Sequence, residues 1–348
     1  MVRWLWLSVS MVMVAACTVP PSSTPGASFS PKQERAASVA PERASTQAVS
    51  YRATRVGELE NPALREASGL APSRRGIERL WVLNDGGDGA RLYSIGLDGS
   101  NQGVVEVEGI RNEDWEDMAS FRWNGDAYLL IADIGDNQAR RSSYRLYFVR
   151  EPGRRLPASV AVERTLTFVY EDGPRDAEAI AVDPEGERIL ILSKRDHPPR
   201  LYELPLSSER SGIQVAHYVT SILPLPQPSF GDILANPVLG RLGDVPTAMD
   251  ISPDGRSVVV MTYRAIFRFH HPPGLGWREA FSRPPEKLAT HALLQGEALA
   301  YGPDGRRIYY TSEHRPAPLW ALVPSPSPRD SGERVVKQPA DGGRADGE

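Results

Sequence analysis

Between residues 51 and 323 the apolar positions come in runs of four to eight, closed by polar turns, with almost no 3.6-residue periodicity. This pattern predicts short strands rather than helices. Five runs align without gaps: Leu80–Asp85 (LWVLND), Tyr128–Asp133 (YLLIAD), Ile189–Lys194 (ILILSK), Val258–Tyr263 (VVVMTY) and Ile308–Glu313 (IYYTSE). Each follows a shorter motif: EASGLAP from Glu66, EDMASF from Glu116, EAIAVDP from Glu178, TAMDISP from Thr247 and EALAYGP from Glu297. Turns such as Pro253-Asp254-Gly255 and Pro303-Asp304-Gly305 separate motif and run, and favour a tight reversal between two strands. Further strands follow, including RLYSIGL, RLYFVRE, RLYELPL, AIFRFHH and PLWALVP, and some units add a fourth, as in VERTLTFVYE.

A unit of roughly 50 to 70 residues holding about four strands is the signature of a propeller blade. The chain is therefore read as all-β, a β-propeller of four-stranded antiparallel blades, with five blades expected and six as the alternative. The last unit shows three strands, and Tyr51–Leu59 (YRATRVGEL) could supply the fourth and close the ring.

The ends differ in character. MVRWLWLSVSMVMVAAC has Arg3, an apolar run from Trp4 to Val14 and small residues before Cys17, the layout of a signal peptide. Val14-Ala15-Ala16-Cys17 resembles the bacterial lipobox, whose cysteine carries lipid, so Cys17 is the expected lipidation site. Thr18 in place of Asp points to the outer rather than the inner membrane of the cell envelope under enterobacterial sorting rules. Residues 18–50, rich in Ser, Pro, Ala and Thr, read as a disordered tether, and 324–348 as a disordered tail, leaving 51–323 as the domain. Cys17 is the only cysteine, which excludes an internal disulfide, a thiolate cluster and a cysteine nucleophile. Forty basic against 44 acidic residues, with no basic stripe, argue against nucleic acid as a partner. The expected partners are the membrane, through the lipid, and a small-molecule or protein ligand; the chain is expected to be a monomer.

In a blade the inner strand begins, and the second strand ends, at the same mouth of the ring. The repeat then gathers Glu66, Glu116, Glu178, Thr247 and Glu297 at the starts, and Asp85, Asp133, Lys194, Tyr263 and Glu313 at the ends. Asp117, Asp136 and Asn137 are expected beside them, with Asn84, Asp88, Asp176 and Asp250 nearby, against a small basic set of Lys194, Arg195 and Arg264. So many carboxylates at close range imply raised pKa values or a bound cation. Oxygen ligands without Cys or His favour a hard ion such as Ca²⁺. Solvated side chains, or carboxylates bonding neighbouring backbone amides, are the alternative. His314 lies just past Glu313, and Trp115, next to Glu116, is the one tryptophan placed to reach the rim as a ligand platform.

No HExxH, GxSxG, phosphate-loop or CxxC motif is present. The series EASGL, NEDWEDMA, IADIGDN, DAEAIAVD and QGEALAYGPDG resembles a family of bacterial exported β-propeller lipoproteins, similar in layout to NHL, SMP-30/lactonase and phytase-like propellers. For lactonase and phytase-like propellers the resemblance implies metal held by mouth carboxylates, at positions matched here by Glu116, Asp133, Glu178 and Glu297. The dense basic residues of a phytase and a lactonase base have no match. The expectation is a ligand-binding propeller at the cell envelope, the alternatives being a metal-dependent hydrolase using the same mouth or an envelope scaffold.

Overall fold

The computed structural model of the protein describes residues 50–207, 212–223, 225, 230–235 and 242–325. The expected signal peptide, Cys17, nearly all of the expected tether, and the expected tail beyond Ser325 lie outside the described residues.

Strand β1 (Ser50–Glu58) comes first in the chain and is used last in the ring. Four meanders follow. The first is β2 (Ala67–Pro72), β3 (Leu80–Asn84), β4 (Arg91–Ile95) and β5 (Asn101–Glu108); the second is β6 (Trp115–Trp123), β7 (Asp126–Asp133), β8 (Tyr144–Arg150) and β9 (Ser159–Tyr170). The third is β10 (Ala177–Asp183), β11 (Arg188–Ser193), β12 (Arg200–Pro205) and β13 (Ile213–Ser221). Helix α1 (Phe230–Ala235) precedes the fourth, β14 (Pro246–Ile251), β15 (Ser257–Thr262), β16 (Ala265–His270) and β17 (Glu286–Thr290), whose last two strands flank α2 (Trp277–Phe281). The fifth unit, β18 (Gly296–Tyr301), β19 (Ile308–Ser312) and β20 (Pro318–Ser325), is completed by β1, paired antiparallel to β20 from Ser50↔Ser325 to Glu58↔Pro318. The described strands thus form five four-stranded blades, with the ring closed by the N-terminal strand. The expected tether and tail boundaries shift slightly, because Ser50, Pro324 and Ser325 are paired strand residues.

The inner strands β2, β6, β10, β14 and β18 pack side by side in that order, and β18 returns to β2. Between neighbouring blades lie five separate apolar wedges. Trp81 and Leu83 of β3, for example, share a wedge with Leu129 and Ile131 of β7. Each second strand is covered on both faces, which is why LWVLN and ILILS read as unbroken apolar runs instead of alternating ones. The expected turns form as read: Asp304 Oδ1 accepts the Arg306 and Arg307 N–H groups (2.9 and 3.0 Å), with Gly305 at φ 66°.

The outer edges of the first three blades are joined. The 12-residue β9 pairs in parallel with β5 through Ser159–Ala161 and with β13 through Thr167–Tyr170, making one twelve-stranded sheet. Those pairings cover strand edges that would otherwise be open.

Candidate metal and ligand site at the axial mouth

Every inner strand carries a β-bulge at its second residue: Ser68, Glu116, Glu178, Thr247 and Glu297 are skipped in the pairing with the second strand. A bulge frees one residue from the ladder and re-aims its side chain. Three of the five are glutamates, buried at the mouth. The other two tie blades together: Ser68 Oγ donates to Trp115 O (3.0 Å) and Thr247 Oγ1 to Gly296 O (2.8 Å).

This register corrects two readings. The structural counterpart of Glu116 in the first blade is Ser68, not Glu66, which is exposed. In the second blade Asp133 pairs with Trp115, as Asn84, Ser193, Thr262 and Ser312 pair with the residues before the other bulges. Asp133 is therefore not the counterpart of Asp85 and Lys194. That position is held by Gly135, whose N–H meets Asp114 O just as those of Asp85, Lys194 and Glu313 meet Glu66 O, Asp176 O and Gln295 O. Asp133 is fully buried beside Arg141, whose Nη1 lies 2.7 Å from Oδ1 but out of line for a hydrogen bond. Burial raises its pKa and Arg141 opposes the rise.

The remaining expected residues divide as follows. Asp117 lies in the axis, but its oxygens accept the Met118 and Ile180 N–H groups (2.7 and 2.8 Å), a link between the second and third blades. Asp136 organises its own loop, accepting from Arg140 N, Arg141 N and Tyr144 Oη. Asn137 is an exposed partner of Arg195. Arg264 is half-buried in the β15–β16 turn, and His314 is exposed. Trp115 is fully buried in the wedge between the first two blades, tilted against Tyr147, so it is no rim platform.

What converges at the mouth is a set of carboxylates from four blades: Asp85, Asp114, Glu116, Asp176, Glu178, Glu297 and Glu313. In two groups, Asp85–Asp114–Glu116 and Glu116–Asp176–Glu178, one oxygen from each residue lies within 4.8 Å of the others, an arrangement able to hold a metal ion. Gly135 makes room for it: a Cβ there would overlap Glu116 Oε1 and Asp114 Oδ2. Asp114 was not among the residues read from the sequence. Its signal was nonetheless present, since Asp114-Trp-Glu116, Asp176-Ala-Glu178 and Gln295-Gly-Glu297 share one spacing.

The counter-charges are few and specific. Lys194 Nζ pairs with Glu178 Oε1 and lies 3.8 Å from Glu297 Oε1, which also accepts from Tyr263 Oη (2.6 Å). Arg195 Nε donates to Asp176 Oδ2 (2.6 Å), and Gln295 Nε2 to Glu313 Oε2. Glu178 Oε2 is buried without any partner. Burial, with the neighbouring carboxylates, pushes Asp85 up to about 6 and Glu313 up to about 10. Burial pushes Glu178 up to about 8 against the pull of Lys194, and lifts Glu116 well above the carboxylate range beside Glu178 and Asp85. Burial also works against the charge on Lys194, but Glu178 and Glu297 outweigh it and raise its pKa.

No family model and no curated protein matches the chain. Among solved structures it is similar to a luciferin-regenerating enzyme, at 8% identity and TM-score 0.41, over 78% of this chain and 95% of that one. It is also similar to a gluconolactonase from Xanthomonas campestris, at 12% identity and TM-score 0.40, over 74% of this chain and 72% of that one. A chain of a nidogen/laminin complex gives 12% identity and TM-score 0.40 over 72% and 73%. Likenesses of this order carry no argument about activity. From its own strand pairing and its own carboxylates, the chain is a β-propeller with a buried acidic site at one axial mouth.

Proposed function

We propose that the protein is an exported lipoprotein, anchored through Cys17, whose propeller holds a Ca²⁺ ion in the acidic mouth and uses it to bind an oxygen-bearing ligand at the cell envelope. The observation that carries the reading is Glu178 Oε2, a buried acceptor without a donor, in a residue grouped with Glu116 and Asp176. An unpaired buried carboxylate oxygen is costly, and a cation removes that cost. Oxygens within 4.8 Å of one another fit a shell of about 2.4 Å radius, the Ca²⁺–oxygen distance. The chain leaves the domain at the opposite end: Ser50 pairs with Ser325, where β20 runs away from the mouth.

Protein purified without chelator is expected to carry calcium by elemental analysis. Chelator should lower the melting temperature and added Ca²⁺ restore it, with about 2.7 kcal/mol of stabilisation at a hundredfold excess over Kd. Glu116→Gln with Glu178→Gln should abolish that restoration. A wild type free of metal and indifferent to chelator would overturn the Ca²⁺ reading, and Ca²⁺-dependent hydrolysis of lactones or phosphomonoesters would turn a binding protein into an enzyme. Cys17→Ser should lose lipid labelling and detergent partitioning in the host; equal labelling would remove the anchor.

A further inference from the structure

The face opposite the acidic mouth carries a second concavity. It lies between the third and fourth blades, encloses about 1010 Å³, and is walled in part by the Glu185-Gly186 and Asp254-Gly255 turns. Those turns join the first strand of a blade to its second, so they lie at the end of the ring away from Glu116 and Glu178. A smaller cavity of about 500 Å³ shares Asp183, Glu185 and Gly255 with it and adds the half-buried Trp123. The two make one open cleft.

One wall of the cleft is an insertion in the fourth blade. Residues 271–285 link β16 to β17 and carry α2, whereas the matching links in the first three blades are 96–100, 151–158 and 206–212. Ordering a long link costs conformational entropy, and this one is held by specific contacts. Trp277, Ala280 and Phe281 are buried in the wedge between the third and fourth blades. Trp277 Nε1 donates to Asp183 Oδ2 (2.9 Å) across the blade boundary. His271 stacks on Trp277 at 3.9 Å between ring centres, with Nδ1 2.8 Å from Gly255 O and Nε2 2.7 Å from Leu275 O. The wall is therefore rigid, and Arg278 and Glu279 on it line the cleft.

The lining selects the ligand. Carboxylates and guanidinium groups nearly balance, which favours neither a polyanion nor a polycation. The largest apolar side chain, Trp277, is turned inward and buried, so it offers no pocket to an apolar peptide anchor. What the cleft presents is planar polar groups and an open aromatic ring. Glu185, Arg256, Arg278 and Glu279 are exposed and have no ion-pair partner among the described residues. Tyr218 is 36% exposed, its ring held edge-on by Tyr202 (5.9 Å) and its hydroxyl 2.8 Å from Ser221 Oγ. Neighbouring hydroxyls donate to carboxylate oxygens and accept from a guanidinium fork, while the C–H face of a sugar ring packs on an aromatic ring.

We propose that this cleft binds a neutral oligosaccharide, with Tyr218 as the stacking platform, Glu185 and Glu279 accepting from sugar hydroxyls, and Arg256 and Arg278 donating to them. The site is separate from the acidic mouth, and the sugar binds without a cation.

The test is calorimetric titration of the purified protein with maltotetraose, cellotetraose and tetra-N-acetylchitotetraose, with and without chelator. At least one should bind with Kd below about 1 mM, equally well in chelator. Tyr218→Ala should weaken that binding about tenfold through loss of the stacking face, and Tyr218→Phe should retain it. Glu185→Gln and Arg256→Gln, both at exposed positions, should each weaken it with the melting temperature unchanged, and they serve if Tyr218→Ala fails to fold. Absence of binding for all three sugars, or binding indifferent to every one of these changes, would overturn the proposal. Binding lost in chelator or in Glu116→Gln would also overturn it, by moving the sugar to the acidic mouth. The calcium reading can fail without affecting this one, because the two sites lie at opposite ends of the ring.

Discussion

The pair Asp133–Arg141 offers the sharpest check on how the second blade is built. Asp133 is fully buried and Arg141 is its only ion-pair partner among the described residues, with the Arg141 side chain itself 19% exposed. Arg141→Met would leave a buried carboxylate uncompensated, a change that costs about 3–5 kcal/mol. It would also remove the bond from Arg141 Nη1 to Gly135 O (3.0 Å), worth about 1 kcal/mol. Asp133→Asn should cost less, about 1–2 kcal/mol, because the guanidinium reaches solvent and keeps Glu113 as a partner. The double variant should be less destabilised than the sum, by about 2 kcal/mol of coupling. Urea unfolding at pH 7 measures all four corners of the cycle. The pH dependence has a fixed sign. The folded pKa of Asp133 is raised, so between the unfolded value and the folded one the native state binds more protons, and stability from this group rises as pH falls. The deficit of Arg141→Met should therefore narrow towards acid pH. Cation binding at the mouth should be untouched by Asp133→Asn. Equal costs for the two single changes, an additive double variant, or a loss of metal in Asp133→Asn would refute this placement.

Gly135→Ala tests the site without altering any charge: the new methyl must displace the ends of Glu116 and Asp114, so the melting temperature of metal-free protein should shift little while Ca²⁺ affinity falls at least tenfold. Unchanged affinity would show that these carboxylates do not converge on the ion. His291 contributes to acid lability. Its Nδ1 is buried without a partner and its Nε2 lies 2.9 Å from Thr262 O, and burial lowers its pKa to about 4. The unfolded state then binds the extra proton first, so up to about 3 kcal/mol of stability is lost as pH falls from about 6.5 to about 4. His291→Gln should flatten that part of the stability profile, and an unchanged slope would exclude the residue.

The sequence by itself determined the strands, the turns and the five-fold repeat, because these depend on neighbours close in the chain. Second strands covered on both faces must be apolar throughout, and the Pro-Asp-Gly turns carry their own hydrogen bonds. Closure by β1 was legible for a related reason: the last unit lacked a fourth strand, and a strand-like segment stood unassigned before the first motif. Glu116, Glu178, Glu297, Asp85, Lys194 and Glu313 were also placed at the mouth by their position in the repeat. What only the tertiary structure decided was register and partnership. A gapless alignment could not reveal the extra residue at the end of β7, which moves Asp133 out of the ring and brings Gly135 into it. Nor could it show Lys194 reaching Glu297 across 103 residues, Arg141 compensating Asp133, or β9 joining three blades along their outer edges. Strand identity follows from local pattern. A one-residue change in register reverses the direction of a side chain, and an ion pair between blades has no local pattern from which to be read.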